Sequence, residues 1–159
     1  IRFKKNFINI KKKDIEKVID ANFTSIFLLM QQFSINLIKN KKKGAIVNIG
    51  SIVGQYGFNE LSVYAASKGA LTSFTQSFSN EMSKMGIRAN TISPGFTKSS
   101  FYSKFKKNKR NLYNWTLNKI SMKRWGETDE ISNLILFLLS DSSSYITGEN
   151  IKIDGGWLS

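Results

Sequence analysis

The 159-residue chain has no cysteine, which excludes a disulfide framework, a thiolate nucleophile and any cysteine-built zinc site, and leaves the redox compartment open. It has no histidine either. Histidine is the usual general base near neutral pH, so every Ser-His or His-metal arrangement is excluded with it. Acid–base chemistry must fall to Tyr, Lys, Asp or Glu, and no metal site is expected. No apolar run reaches the ~18 to 20 residues that span a bilayer, and "IRFKKNFINIKKK" lacks a signal-peptide core. A membrane partner is therefore not expected, and the expected compartment is the cytoplasm or an organelle lumen. The hydrophobic share of 41% is that of one globular domain with its own core.

Acidic residues are few, 11 against 24 lysines and arginines, for a net charge of +13. Lysines cluster at Lys11 to Lys13, at Lys41 to Lys43 and in "KFKKNKR", Lys104 to Arg110. Such a footprint can bind phosphates, but the chain is equally rich in Asn, Ile, Phe and Ser, the bias of an A+T-rich coding sequence. Solvated faces and loops account for most of this charge. An acidic partner or substrate, such as a phosphate-bearing carrier, comes ahead of DNA or RNA, and nucleic acid is not expected as a partner.

Periodicity divides the chain into alternating elements. Apolar residues recur at three and four from Asp14 to about Asn40, which predicts a long helix with Asp14 as N-cap. "AIVNIG" reads as a short buried strand stopped by Gly50, and a glycine-punctuated loop follows through Gly54 and Gly57. Residues 61 to 85 form a second long helix, dense in Ala and Ser and stopped by Gly86. "IRANTIS" is the next strand, closed by the chain's single proline in "PG". Residues 96 to 124 read as irregular or short-helical with exposed aromatics, among them Phe101, Tyr102, Phe105, Tyr113 and Trp115. Thr128 could cap the apolar helix "ISNLILFLLSD", and "GENIKIDGG" is a last strand. Helices alternating with strands buried on both sides predict an α/β layered fold with a parallel sheet.

One stretch, "GSIVGQYGFNELSVYAASKGAL", carries chemistry. Tyr64 and Lys68 are four apart on a helix and share one face. Ser51 lies just past a buried strand, at the carboxyl edge where parallel sheets bind ligands, and Pro94 and Gly95 end the next strand on that edge. A phenol, with its reference pKa near ~10, exchanges protons at neutral pH only where a cation favours the phenolate, and Lys68 is such a cation. Without a histidine to activate it, Ser51 is expected to donate a hydrogen bond to a carbonyl oxygen rather than to act as a nucleophile.

With "VNIGS", "YAASKGAL", "GIRANTISPG", "KRWGETDEI", "FLLSD" and "YITGENIKIDGG" in that order, the sequence resembles a short-chain dehydrogenase/reductase, and is similar to the 3-oxoacyl-acyl-carrier-protein reductases, along essentially its whole length. The resemblance implies a Rossmann-like doubly wound sheet and an NAD(P)(H)-dependent oxidoreductase interconverting a carbonyl and a secondary alcohol. It implies catalytic roles for Ser51, Tyr64 and Lys68, and for Asn22 as the helix asparagine that holds a water in a proton relay to the lysine. Tyr64, Lys68, Pro94, Gly95, Thr97 and Ser99 would contact the cofactor, NADP or NAD with NADPH slightly favoured. The implied partners are a small-molecule or carrier-bound carbonyl substrate and further copies of the chain in a homotetramer or homodimer. Asn48 and Asn90 are expected to satisfy backbone groups. Asp154, Gly155 and Gly156 are expected to form a turn, Arg124 to Gly126 to be structural, and Tyr113 and Trp115 to be possible walls of the substrate pocket.

Two departures qualify the resemblance. The family's Thr-Gly-x-x-x-Gly-x-Gly turn, which seats the cofactor pyrophosphate on a helix N-terminus, is absent, so the chain is expected to be a single domain lacking its N-terminal cofactor-binding part. Before the tyrosine, Leu61, Ser62 and Val63 replace the Gln-Ala-Asn common in the acyl-carrier-protein reductases. A dehydrogenase acting on a sugar, polyol or other small carbonyl compound therefore stays open, as does a non-catalytic binding protein descended from the family.

Overall fold

The computed structural model describes residues 1–100 and 102–159; Phe101, one of the aromatics noted above, lies outside the described residues. The first helical stretch runs as α1 (Lys12–Ile19), a π-helical segment (Asp20–Thr24) and α2 (Ser25–Lys39). Asp14 is not its N-cap. Lys11 holds that position, and Asp14 lies one turn in, where its carboxylate accepts from the Lys11 backbone N–H at 3.0 Å and from Lys5 Nζ at 2.6 Å. A carboxylate there satisfies an orphan amide and meets the positive helix end.

Strand β1 (Gly44–Ile49) leads through a 3₁₀ turn (Ile52–Gly54) to α3 (Ser62–Met82), a further 3₁₀ turn (Ser83–Met85) and β2 (Ile87–Pro94). α3 itself ends at Met82, and Gly86 stops the helical run at the end of the 3₁₀ turn that continues it, in the left-handed region at φ +74°. The 96–124 region contains two helices, α4 (Tyr102–Asn108) and α5 (Arg110–Lys119). Then come α6 (Thr128–Leu139) and β3 (Asn150–Ile153). Here too the expected cap shifts by one. Glu127 is the N-cap and Thr128 the first helical residue, with Glu130 reaching back to the Glu127 N–H at 2.7 Å.

The three strands are parallel in the order β1-β2-β3, with Gly44 opposite Ile87 and Thr91 opposite Asn150. Alternation along the strands distributes the helices. Ile87 and Ala89 join Met30 of α2 and Phe78 of α3 in a core on one face. Arg88, between them, points to the other, where its guanidinium donates to the Leu138 carbonyl of α6 at 3.1 Å. The fold is therefore α/β, with helices on both faces of a parallel sheet. Two apolar faces stay open, Leu28, Leu29 and Ile35 on α2 and Leu136, Phe137 and Leu139 on α6.

Because the strands run parallel, their carboxyl ends share one edge of the sheet. The residues following Ile49, Pro94 and Ile153 all emerge there, and there the candidate site lies.

Candidate active site

Gly50 leaves β1 with its N–H donating to the Ile92 carbonyl at 2.7 Å. Ser51 then caps the 3₁₀ turn by accepting from the Val53 N–H at 3.2 Å. The Ser51 hydroxyl is thus an acceptor for the backbone, and its proton makes no bond among the described residues. Ile52, buried, anchors this turn. Its last residue, Gly54, touches α3 so closely that a Cβ there would lie 2.9 Å from the Gly69 nitrogen and 2.9 Å from the Lys68 carbonyl carbon. A residue without a side chain is what lets the serine-bearing turn rest on the helix that carries Tyr64 and Lys68.

Tyr64 sits in the first turn of α3 and Lys68 one turn on. The Lys68 ammonium lies 6.0 Å from the Tyr64 ring centroid and donates to the Ile49 carbonyl, the end of β1, at 2.6 Å. Burial holds its pKa below the ordinary lysine value, because the charged form loses water. The lysine therefore bridges the helix and the strand end beside the tyrosine.

Ser51, Tyr64, Pro94, Gly95, Thr97 and Ser99 line a single cleft of about 270 Å³ at the sheet edge. Leu61, Phe58 and Phe96 give it an apolar wall, and Arg2 reaches its rim. Gly95 lies so close to β3 that a Cβ would meet the Asp154 Cα at 2.8 Å. Asn22 stands apart from the cleft lining. It is buried in the π-helical segment, where its amide donates to Ser67 Oγ of α3 at 3.1 Å and to the Ile1 carbonyl at 2.8 Å, and its Oδ1 accepts from the Ile1 nitrogen. One side-chain bond from this widened helical turn, Asn22 to Ser67, ties the helix to α3.

The residues assigned to the scaffold act there. Asn90 bonds the backbone, donating to the Ile146 carbonyl and accepting from the Glu149 N–H, both at 3.0 Å. Asn48 instead pairs with side chains, donating to Thr75 Oγ1 at 2.8 Å and to Met30 Sδ at 3.2 Å, because its strand position faces the helices. Asp154 forms a turn, accepting from the N–H groups of Gly156 at 2.9 Å and Leu158 at 3.1 Å, with Gly155 and Gly156 at positive φ. Arg124 grips Glu130 with two bonds of 2.8 and 2.7 Å. Trp125 is fully buried, its indole N–H donating to Thr116 Oγ1 at 2.7 Å.

Sequence reasoning did not find the aromatic wall. The Asp154 turn delivers Trp157 against Phe58 (5.9 Å between ring centroids), Phe96 (5.0 Å) and Trp115 (5.4 Å). Trp115 thus braces the wall through Trp157, whereas Tyr113 lines a separate cleft with α4. Four separate segments supply these rings, so no local spacing announces them; the turn expected at Asp154 to Gly156 is the one part of the wall that the sequence shows.

A family model described as Enoyl-(Acyl carrier protein) reductase matches residues 1–158. The 3-oxoacyl-acyl-carrier-protein reductase of Thermotoga maritima is 36% identical over 149 residues, covering 94% of this chain and 59% of that protein. That of Rickettsia conorii is 38% identical over 151 residues, covering 95% and 61%. The chain therefore spans about 60% of the length of these curated relatives. Among solved structures, a 4-hydroxyisoleucine dehydrogenase complexed with NADH superposes with a TM-score of 0.95 at 35% identity, covering 99% of this chain and 65% of that one.

Proposed function

The chain belongs to the short-chain dehydrogenase/reductase family, and from that premise we propose that the protein containing it interconverts a carbonyl and a secondary alcohol with a nicotinamide cofactor, using Ser51, Tyr64 and Lys68. The observation that carries this reading is that Ser51 and Tyr64 line one cleft while half-buried Lys68, its pKa held below the ordinary lysine value by burial, stands beside the tyrosine. That donor set, in a chain without histidine, suits proton transfer to a carbonyl oxygen better than attack by a nucleophile.

The cleft fits the reacting end of such a cofactor. Its hydroxyl donors stand beside an apolar wall, and its volume of about 270 Å³ suits a nicotinamide ring with a small carbonyl group and is too small for a whole dinucleotide. We assign the rest of the dinucleotide to a part of the protein outside these 159 residues, since they hold no glycine-rich pyrophosphate turn. A nicotinamide held there would supply the hydride for the carbonyl carbon or take one up from the carbinol carbon. In the reducing direction the Ser51 proton hydrogen-bonds the carbonyl oxygen and orients it. Tyr64 gives its phenolic proton to that oxygen as the carbon receives the hydride, so C=O becomes CH–OH and the phenolate remains. Lys68 stabilises that phenolate and holds the nicotinamide ribose. Pro94, Gly95, Thr97 and Ser99 would flank the nicotinamide ring, and Asn22 would hold the water through which a proton from solvent returns to Lys68 and Tyr64. Oxidation runs the same steps backwards.

For the substrate we propose a 3-oxoacyl thioester on an acyl carrier protein, on the strength of the curated relatives, and we take NADPH as its reductant. The second reading, a small hydroxy or oxo compound with NADH, is favoured by the 4-hydroxyisoleucine dehydrogenase likeness and by Leu61 to Val63 before the tyrosine. The deciding experiment follows NADPH and NADH oxidation by the full-length protein with a 3-oxoacyl thioester and with small ketones. Thioester-dependent oxidation of NADPH is expected; oxidation of NADH by small ketones alone would favour the second reading, and none with any carbonyl compound would reject both.

A further inference from the structure

Between Glu81 and Glu127 the sequence has no acidic residue. The two helices inside that interval, α4 and α5, carry Lys104, Lys106, Lys107, Arg110 and Lys119, and Lys109 joins them. Nearby, Lys98 pairs with Glu127 and Arg124 with Glu130. Lys106, Lys107 and Arg110 pair with no carboxylate among the described residues.

Those three cations converge on one cleft between the helices, which Tyr102, Ser103, Tyr113 and Asn114 complete. Every one of the seven side chains can donate a hydrogen bond, and none bears a negative charge. The donors are also held in place. The Tyr102 and Tyr113 hydroxyls lie 3.1 Å apart, and that bond raises the Tyr113 pKa, keeping the phenol protonated as a donor. The Lys106 ammonium sits over both rings, 5.4 Å from the Tyr113 centroid and 5.9 Å from that of Tyr102, a cation–π placement that holds it at the cleft. Like charges gathered this way repel one another, and an anion with several acceptor oxygens would relieve that repulsion and satisfy the hydroxyls and amide together.

The cleft adjoins the candidate active site. Ser99 lines the Ser51–Tyr64 cleft and Tyr102 this one, and the Tyr102 N–H donates to the Ser99 carbonyl at 2.9 Å. Such a turn keeps its first and last Cα atoms within ~7 Å. The ring of fully buried Trp125 packs against both Phe96 of the first cleft (5.2 Å) and Tyr102 and Tyr113 of the second (5.2 and 5.5 Å), tying the two together.

We propose that the α4–α5 cleft is a phosphoryl-binding site for a substrate whose carbonyl end enters the Ser51–Tyr64 cleft, so that the substrate is a phosphate ester. This inference rests on the oxidoreductase reading for the carbonyl end only; binding of the phosphoryl group does not depend on turnover. Two sources share the chemistry, a phosphopantetheine arm and a sugar phosphate, and the experiment separates them.

Calorimetric titration of the full-length protein with saturating NADPH compares phosphopantetheine with pantetheine, and glucose 6-phosphate with glucose. For at least one pair the phosphorylated member is expected to bind tenfold or more tightly than its partner, and the pair that does so identifies the source. In the triple variant Lys106→Gln/Lys107→Gln/Arg110→Gln, whose changes are at exposed positions, that preference disappears while the melting temperature and NADPH affinity stay within error of wild type. Equal binding of both members of both pairs overturns the proposal, and so does a preference that survives in the triple variant. A single-stranded oligonucleotide that binds more tightly than either ester, with affinity lost in the triple variant, also overturns it, in favour of a nucleic-acid surface. If the preference is present but no carbonyl compound is reduced, the oxidoreductase reading fails and the phosphoryl site stands.

Discussion

Replacing Gly54 by alanine perturbs the contact on which the site's geometry depends. The added Cβ would lie 2.9 Å from the Gly69 nitrogen, 2.9 Å from the Lys68 carbonyl carbon and 3.1 Å from Lys68 Cβ. The first two are backbone atoms of α3 and cannot swing aside, so the 3₁₀ turn must move by about 0.6 Å to reach the ~3.5 Å at which such atoms pack without repulsion. Overpacking of this kind costs about 1 to 3 kcal/mol, which in a domain of this size lowers the melting temperature by roughly 2 to 12 °C. The turn carries Ser51, and the helix it is pushed from carries Tyr64 and Lys68. A misplacement approaching 1 Å is worth up to ~10²-fold in rate, so Gly54→Ala is expected to lower kcat by roughly 10- to 100-fold with a smaller effect on cofactor affinity. Gly57→Ala is the control in the same loop, because nothing lies within 4 Å of its added Cβ, and it should leave both quantities unchanged. Thermal melts by circular dichroism and steady-state kinetics on the full-length protein read the two effects. Wild-type stability and kcat in Gly54→Ala would refute the reasoning.

Other consequences follow from particular contacts. Thr116→Val removes the acceptor of the 2.7 Å bond from the buried Trp125 indole N–H and should cost about 1 to 3 kcal/mol in urea unfolding, whereas Thr116→Ser should recover most of it; equal stability of Val and Ser variants would contradict the bond's role. Glu130 titrates at about 2 instead of the ordinary 4.5, chiefly through its hydrogen bonds from Arg124 and then from the Glu127 N–H. A depressed carboxylate pKa contributes stability above pH 4.5 that is lost as the pH falls towards 2. Melting temperature should therefore fall less steeply over that window in Glu130→Gln than in wild type, and parallel profiles would count against it. The open apolar faces of α2 and α6, with Leu29 70% and Leu136 64% exposed, should be covered by other copies or other parts of the full-length protein. Multi-angle light scattering is expected to show a homotetramer or homodimer, and a stable monomer at micromolar concentration would reject that assembly.

Much of the fold was legible because it depends on period and punctuation. The runs at residues 44–49 and 87–94 are too short and too apolar to be surface helices, and Gly86 closes the 3₁₀ turn that continues α3, where a left-handed residue is needed. The misplacements at Asp14 and Thr128 share one cause: a carboxylate one turn inside a helix can reach back to the capping amide, and sequence alone does not say which neighbour leaves the helix first. Helices α4 and α5 were less legible because Lys- and Asn-rich segments have weak periodicity, and the packing of Tyr102, Phe105 and Tyr113 around Trp125 holds them together. In the candidate site, the shared sheet edge of Ser51, Pro94 and Gly95 and the shared helix face of Tyr64 and Lys68 were legible from strand-end and helix spacing, while the roles of Ser51, Tyr64 and Lys68 were taken from the family pattern. Phe58, Phe96 and Trp157 could not, since they meet only after distant segments converge, and nothing local marked Arg2 as a rim residue. Asn22 was singled out from its place in the family pattern, but its bond to Ser67, 45 positions away, is a product of the tertiary fold.

The central claim is that Tyr64 exchanges the proton at the reacting oxygen. The most direct test is the single-turnover rate of carbonyl-dependent NADPH oxidation by full-length Tyr64→Phe beside wild type, with NADPH affinity measured on the same samples. The variant keeps the ring and loses only the hydroxyl, so the account predicts that NADPH still binds and that the rate falls by roughly 10²- to 10⁴-fold, the range of general acid catalysis. A Tyr64→Phe protein that binds NADPH and oxidises it at the wild-type rate would contradict the account.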